Sequence, residues 1–393
     1  MGAAAGRSEP IYLDYAATTP VDERVAAAMA ECLTMRGTFG NPSSEHPYGY
    51  RARQRAEQAR AQAAALIGAA PEDLYWTSGA TESNNLAILG AARAARAAAT
   101  RPAHLITVRS EHKSVLDPCH QLEREGCTVT YLSPDEEGLL DPEALRAALR
   151  PETVLVSIMH VNNEIGVVQD IAAMAELCAQ REVLLHVDAA QGAGKLPLDV
   201  RELGVDLLGF TAHKLYGPKG IGALYVRPGR RAALRPLLYG GGQERGLRAG
   251  TLPLHQLAGF GQACELAREA LGEEAARLAG LRERLWQGLA QLPAVLLNGH
   301  PTRRVPGILN VCFGGVEGES LMAALPELAL SRGSACNSDT DEPSYVLRAL
   351  GRDSQLAQAA LRFSVGRFTS AADVELAISA VRREVRRLRG IAP

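Results

Sequence analysis

The sequence predicts an α/β protein: a mostly parallel sheet with helices on both faces, followed by a smaller α+β part. Two patterns carry this. From about Leu74 to Val226 short apolar runs alternate with helical stretches, and after about Ala270 long helical stripes bracket two further strand-like runs. At 393 residues, 47% of them hydrophobic, the chain has material for two or three domains.

The apolar runs are "DLYWTSG", "HLITVRS", "TVLVSIMHV", "EVLLHVD", "VDLLGFTA" and "GALYVR". Near-continuous runs of this kind suit strands covered on both faces. Between them, "DIAAMAELCAQR" sets Ile171, Met174, Leu177 and Cys178 on one side of a helix. Later, "LAGLRERLWQGLAQL" aligns Leu278, Leu281, Leu285, Leu289 and Leu292, and "VELAISAVRREVRRL" aligns Val374, Ile378, Val381, Val385 and Leu388. The strand-like runs between them are "GILNVCF" and "LRFSVG". The basic side of the last helix (Arg382, Arg383, Arg386, Arg387, Arg389) reads as a solvated face, with partner docking as the alternative.

A formal net charge of -2 with 22% charged residues argues against a whole-protein nucleic-acid or membrane-surface role. No apolar run approaches the ~20 residues that cross a bilayer. The start, "MGAAAGRSEP", is too short and weakly apolar for a secretory signal, and Gly6 stands where myristoylation needs Ser or Thr; it reads as a floppy leader. Seven cysteines without close-set pairs give neither a disulfide framework nor a metal spacing, so a reducing cytoplasm is the expected location.

The informative feature is how the apolar runs end. "HLITV" leads to "RSEHKS", "VLVSIMHV" to "NNEIG", "VLLHV" to "DAAQ" and "LLGFTA" to "HK". In an open parallel sheet ligands sit beyond the carboxyl ends of the strands, so His112, Asn163, Asp188, Gln191, His213 and Lys214 are expected to converge on one crevice. Singly, each has a plainer reading as a cap, a surface charge or a satisfied core residue. Together they mark a candidate site.

In "TSGATESNNLAILGAA" a strand passes through Gly79 into a helix beginning near Ala80 and Thr81. The N–H groups of that helix start, with the Thr81 hydroxyl, suit a phosphate, although Thr81 with Glu82 or Asn84 could equally cap the helix. No Walker lysine or dinucleotide glycine pattern accompanies it. A lysine after an apolar strand can form a Schiff base, and an Asp can pair a protonated ring nitrogen. Pyridoxal phosphate needs that pair, and Lys214 and Asp188 supply it.

Near the end, "SRGSACNSDTDEPSYVL" places Cys336 among Gly, Ser, Asn, Asp and Pro, which predicts an exposed loop thiol. The other six cysteines sit in or beside regular segments, as in "AELCAQ", "GQACELA" and "ILNVCFG", and read as small buried hydrophobes.

Across nearly its whole length the sequence resembles the cysteine desulfurases of the NifS/IscS family, closest to the housekeeping IscS type, among fold-type I pyridoxal-phosphate enzymes. The resemblance rests on "IYLDYAATTPVD", "FGNPSS", "TSGATESNNLA", "SEHKSVLD", "VNNEIGVVQDI", "HVDAAQ", "HKLYGPKGIGALY", "GGGQERGLRAGT", "RGSACNS" and "LRFSVGRFT", in that order. It implies a seven-stranded, mostly parallel sheet in a large domain over 22–270, with 1–21 and 271–393 forming a small α+β domain that carries the Cys336 loop.

The resemblance also implies roles. Lys214 holds pyridoxal 5′-phosphate covalently and acts as the base at the substrate α-carbon. His112 stacks on the cofactor ring and serves proton transfers at the substrate thiol, while Asp188 binds the ring nitrogen. Asn163 and Gln191 reach the phenolic oxygen region. Ala80, Thr81, Thr211 and His213 hold the phosphate, joined by Thr251 from the other subunit of a homodimer. Arg362, with Asn163, binds the substrate, its guanidinium fork suiting a carboxylate. Cys336 takes sulfur from L-cysteine as a persulfide, leaving L-alanine, and delivers it to an acceptor protein for iron-sulfur clusters, tRNA thiolation or another carrier pathway.

Two departures bear on the acceptor. Asp339 and Asp341 stand where relatives often carry small neutral residues, and the chain stops at "RRLRGIAP", short of the tail that many housekeeping members use to dock a scaffold. Competing readings are a selenocysteine lyase, an aminotransferase or other enzyme of the same fold, and a non-catalytic relay subunit.

Overall fold

The computed structural model describes residues 9–98, 102–332 and 342–390. A short strand β1 (Ile11–Tyr12) precedes a central sheet built from β2 (Leu74–Thr77), β3 (His104–Val108), β4 (Thr128–Leu132), β5 (Thr153–Met159), β6 (Leu184–Asp188), β7 (Leu207–Thr211) and β8 (Gly222–Val226). Their spatial order is β2-β8-β7-β6-β5-β3-β4. Strands β3 to β7 are mutually parallel, and only β8 runs against its two neighbours. This is the seven-stranded, mostly parallel sheet of a fold-type I pyridoxal-phosphate transferase.

Period-two alternation divides each strand between two cores. Ile106, Val156 and Leu208 pack with the helices Pro47–Leu66 and Ile171–Gln180 and with the first half of Leu254–Leu289. Their neighbours Leu105, Leu155 and Leu207 pack with Leu86, Ile88, Val115 and Leu122 of the helices Ala80–Ala98 and Lys113–Arg124. Strand β4 was not legible as an apolar run. It forms the sheet edge, with no position fully buried, and needs only "TVTYL" there.

Small side chains set the closest helix contact. Ala52, Ala56, Ala59 and Ala63 line the buried face of Pro47–Leu66, and a Cβ on Gly261 would lie 2.6 Å from Ala59 Cα. Glycine there lets the two backbones touch.

A third core gathers Leu281, Leu285, Leu289 and Leu292 with Val374, Ile378, Val381 and Val385 of the last helix, Ala371–Leu388. They cover an antiparallel sheet of order β12-β13-β10-β9, comprising β9 (Val295–Leu297), β10 (Ile308–Phe313), β12 (Ser331–Arg332) and β13 (Ala360–Ser364). Strand β11 (Leu328–Ala329) pairs instead with β1. The long helix Leu254–Leu289 runs unbroken past residue 270, its first half in one core of the central sheet and its second half in the third core.

On the last helix, Arg383 and Arg387 pair with Glu384, Arg383 also reaches Glu327, and Arg389 donates to the carbonyls of Pro293 and Gly314. Much of this basic face is satisfied within the chain.

The N-terminal segment joins the two parts. Asp14 bridges to Ser364 of β13, and five residues later Thr19 donates its N–H and its hydroxyl to the His213 carbonyl beyond β7.

Candidate active site at the carboxyl end of the sheet

The carboxyl ends of β3, β5, β6 and β7, the start of Ala80–Ala98 and the segment 16–18 enclose a cavity of about 490 Å³. Ala80, Thr81, His112, Asn163, Asp188, Gln191, Thr211, His213, Lys214 and Arg362 all line it. The crevice expected from the strand ends is therefore present, and a residue from the antiparallel sheet, Arg362, closes it. Thr251 is exposed and is not among the lining residues. Cys336 lies outside the described residues.

Each lining side chain has a local reason for its place. Asp188 is the last residue of β6 and is 5% exposed. Its Oδ1 accepts from the Ala190 N–H at 2.9 Å and its Oδ2 from Asn84 Nδ2 at 2.8 Å, so the carboxylate is held from two sides. Asn84 Nδ2 also donates to Ser114 Oγ at 2.9 Å, and Ser114 Oγ lies 2.8 Å from His112 Nδ1. The acid and the imidazole thus share one hydrogen-bonded line.

His112 caps the helix Lys113–Arg124, its Nδ1 accepting from the Ser114 N–H at 3.1 Å. A backbone N–H can only donate, so Nδ1 is the acceptor nitrogen and the neutral ring carries its proton on Nε2. Asn163 follows β5 on a turn shaped by Asn162, whose Oδ1 accepts from the N–H groups of Glu164 and Ile165.

Lys214 ends the tight turn after β7, and its Nζ donates to the carbonyls of Ala16 and Ala17 at 2.5 and 2.6 Å. Gln191 donates from Nε2 to the same Ala16 carbonyl at 2.8 Å. Arg362, on β13, is 1% exposed; its Nη1 donates to the Asn163 carbonyl at 2.9 Å and its Nη2 pairs with Asp14 at 2.8 Å.

At the other end Gly79, at φ +151°, turns the chain into the helix Ala80–Ala98, whose first residues, Ala80 and Thr81, line the cavity together with Thr211. Burial, with Lys214, Lys219 and Lys195 nearby, pushes His213 down to about 4, so the ring is neutral at pH 7. Burial disfavours the charge on Glu82, but Arg248 at 2.8 Å and the Ser78 N–H outweigh it and hold the carboxyl below its ordinary range.

These residues fit pyridoxal 5′-phosphate. The amine and the carboxylate it requires line one cavity, hydroxyls and a helix N-terminus suit its phosphate, and the buried Asn163 Oδ1 has no hydrogen-bond partner among the described residues.

Sequence reasoning missed Asn84 as a site residue, and with it Ser114, Asp14 and Lys219. A signal existed for Asn84: "SNN" puts polar residues on the side of a helix that must pack against an apolar sheet. Among the described residues no His, Cys, Asp and Glu group could hold a metal ion. The six described cysteines are all buried. Burial pushes Cys119 and Cys178 up to about 12 and Cys264 well above its ordinary value.

Sheet topology, lysine, acid and phosphate cradle together define a fold-type I pyridoxal-phosphate enzyme. The profile of the class-V aminotransferase family matches residues 11–376. Cysteine desulfurase IscS of Cronobacter sakazakii is 55% identical over 385 residues, covering 98% of this chain and 95% of its own. The protein of that name from Aeromonas hydrophila is 56% identical over the same shares. A solved structure described as a NifS-like protein superposes with a TM-score of 0.89 at 34% identity, covering 96% of this chain and 100% of its own. SspA in complex with cysteine gives 0.81 at 37% identity, covering 92% and 100%. The chain belongs to the class-V aminotransferase family, among the cysteine desulfurases of the IscS/NifS kind.

Proposed function

We propose that this chain converts L-cysteine to L-alanine and passes the sulfur through a persulfide on Cys336 to an acceptor protein in iron-sulfur cluster supply. The observation that carries the reading is one cavity lined by Lys214, Asp188 and Arg362, in a chain more than half identical to cysteine desulfurases. Among the described residues no helix is long and apolar enough to cross a membrane, and we place the protein in the cytoplasm.

Bound pyridoxal phosphate supplies an electron sink for the pair left when the substrate loses its α-proton. Lys214 would hold the cofactor through its amine and would be the base for that proton. Asp188, fixed by Asn84 and Ala190, pairs the ring nitrogen. Thr81, Thr211, His213 and the N–H groups at Ala80 and Thr81 would hold the phosphate, and Asn163 and Gln191 would serve the phenolic oxygen. Arg362 receives the substrate carboxylate, already oriented by Asp14 and the Asn163 carbonyl. His112 exchanges a proton with the substrate sulfur through Nε2.

The Cys336 thiolate attacks that sulfur. The S–S bond forms as the C–S bond breaks, and a proton replaces sulfur on the β-carbon, giving alanine. Burial raises the pKa of Cys32, Cys119, Cys127, Cys178, Cys264 and Cys312, so none of the six described thiols suits the nucleophile's role, which supports Cys336.

The working form is a homodimer. Leu33, Met35 and Tyr239 are 57%, 72% and 81% exposed, apolar groups that a second copy would cover, and Thr251, exposed and outside the cavity of its own chain, would serve the phosphate of that copy. The division into 22–270 and 1–21 with 271–393 is our reading of these cores.

The test is incubation with L-cysteine, assay of alanine, and mass spectrometry of the Cys336 peptide for one extra sulfur atom. Full turnover by Cys336→Ala would favour an aminotransferase-like reaction, and a colourless wild-type protein would defeat the cofactor assignment.

A further inference from the structure

Behind Lys214 lies a second, narrow cavity of about 40 Å³, room for a water or two. Lys214 lines both cavities, whereas Lys195, half-buried, lines only the narrow one. Lys195 Nζ donates to Gln191 Oε1 at 2.6 Å. The other end of the same amide, Nε2, donates to the Ala16 carbonyl, which also accepts from Lys214 Nζ. A line of hydrogen bonds therefore runs from Lys195 through Gln191 and Ala16 to Lys214.

We propose that Lys195 is a positioning residue of the active site, fixing the Gln191 carboxamide so that its N–H end is turned to Ala16 and the cofactor cavity. The two ends of the amide are told apart chemically. The Ala16 carbonyl can only accept, so it faces N–H, and an ammonium can only donate, so it faces the amide oxygen. The Ala16 carbonyl is shared, its two lone pairs taken by Gln191 and Lys214, and it fixes only one end of the amide. Lys195 removes the ambiguity by holding the oxygen end away from the cavity.

The setting supports this role. Charged groups that act on Lys195 are Lys214 and Arg362, which oppose its charge, and Glu274, which favours it; Arg367, Tyr15 and Tyr216 share its cavity. Burial, together with Lys214 and Arg362, pushes its pKa down to about 7, so the ammonium that donates to Gln191 is the form held below pH 7. A lysine kept there against that opposition, with its nitrogen on an active-site amide, is held for what it contacts.

The inference rests on the reading of the larger cavity as the pyridoxal-phosphate site, and its test separates the two. Cofactor-free wild type, Lys195→Met, Gln191→Ala and the double variant are titrated with pyridoxal 5′-phosphate by visible absorbance, and their melting temperatures are recorded. Lys195→Met is expected to weaken cofactor binding about ten-fold, as for one hydrogen bond to a charged group, and to add nothing in the Gln191→Ala background. Lys195→Gln, with a shorter neutral donor, loses less, and that loss also vanishes once Gln191 is gone; it carries the test if Lys195→Met does not fold. Equal losses in both backgrounds, or a lower melting temperature with unchanged affinity, overturn the proposal. A wild-type protein that develops no absorbance band overturns the cofactor reading itself, and the inference with it.

Discussion

Arg362 Nη2 and Asp14 Oδ1 lie 2.8 Å apart, joining β13 of the small sheet to the segment that runs from β1 to the Lys214 turn. The guanidinium is 2% exposed on its side chain and the carboxylate 18%, so the pair is largely shielded from water. Asp14 holds the fork still, and the N–H groups left over are those available to a substrate carboxylate.

Arg362→Ala is expected to lower kcat/KM for L-cysteine by about 100-fold, chiefly through KM, because two charge-assisted hydrogen bonds to the carboxylate are lost. The same change strands Asp14 and lowers stability by on the order of 3 kcal/mol. Steady-state kinetics and denaturant unfolding check the two effects; an unchanged KM contradicts the carboxylate role.

Asn84→Ala cuts the bridge between Asp188 and Ser114, since one Nδ2 group serves both. Cofactor affinity should fall about ten-fold. Asn84→Asp should be worse, because it sets a second carboxylate against Asp188. Absorbance titration of cofactor-free protein reads both variants, and Asn84→Asp binding as tightly as wild type would remove Asn84 from the site.

Sulfur from L-cysteine should appear on Cys336 and not on the buried thiols. Cys264→Ala and Cys312→Ala should keep the persulfide and the rate of alanine formation, while Cys336→Ala, lacking the nucleophile, should lose both by about 100-fold or more. Peptide mass spectrometry after one turnover distinguishes them.

Stability should fall as the medium is acidified from pH 6.5 toward 4. Burial pushes His160 down to about 4 and His186 to about 3, below the usual value near 6.5. In that window the unfolded chain binds protons that the folded chain refuses, so the contribution is full above pH 6.5 and lost on the way down. Each ring adds a slope of up to about 1.4 kcal/mol per pH unit. Urea unfolding at stepped pH measures it, and His186→Gln should flatten the curve.

Much of this architecture is legible in the chain because burial writes itself as composition. "HLITV", "VLVSIM" and "LLGFT" are apolar on consecutive positions, as strands covered on both faces must be, and the polar residues that follow them mark the rim where a ligand sits. Strand β4 escaped because an edge tolerates Thr128 and Thr130. Leu281 and Val381 announced their helices by spacing, since a stripe facing a core repeats every three or four residues.

What the sequence could not state was which distant groups would share an atom. Lys214, Gln191 and Ala16 are far apart along the chain, and so are Asp14 and Arg362; nothing in their neighbours encodes the pairing. Side-chain chemistry and local periodicity are properties of short segments and are decided there. Contact across the chain depends on how the sheet twists and where the N-terminal segment runs, so the folded molecule alone decided that Asn84 would link acid to imidazole and that Lys195 would reach Lys214 through Gln191 and Ala16.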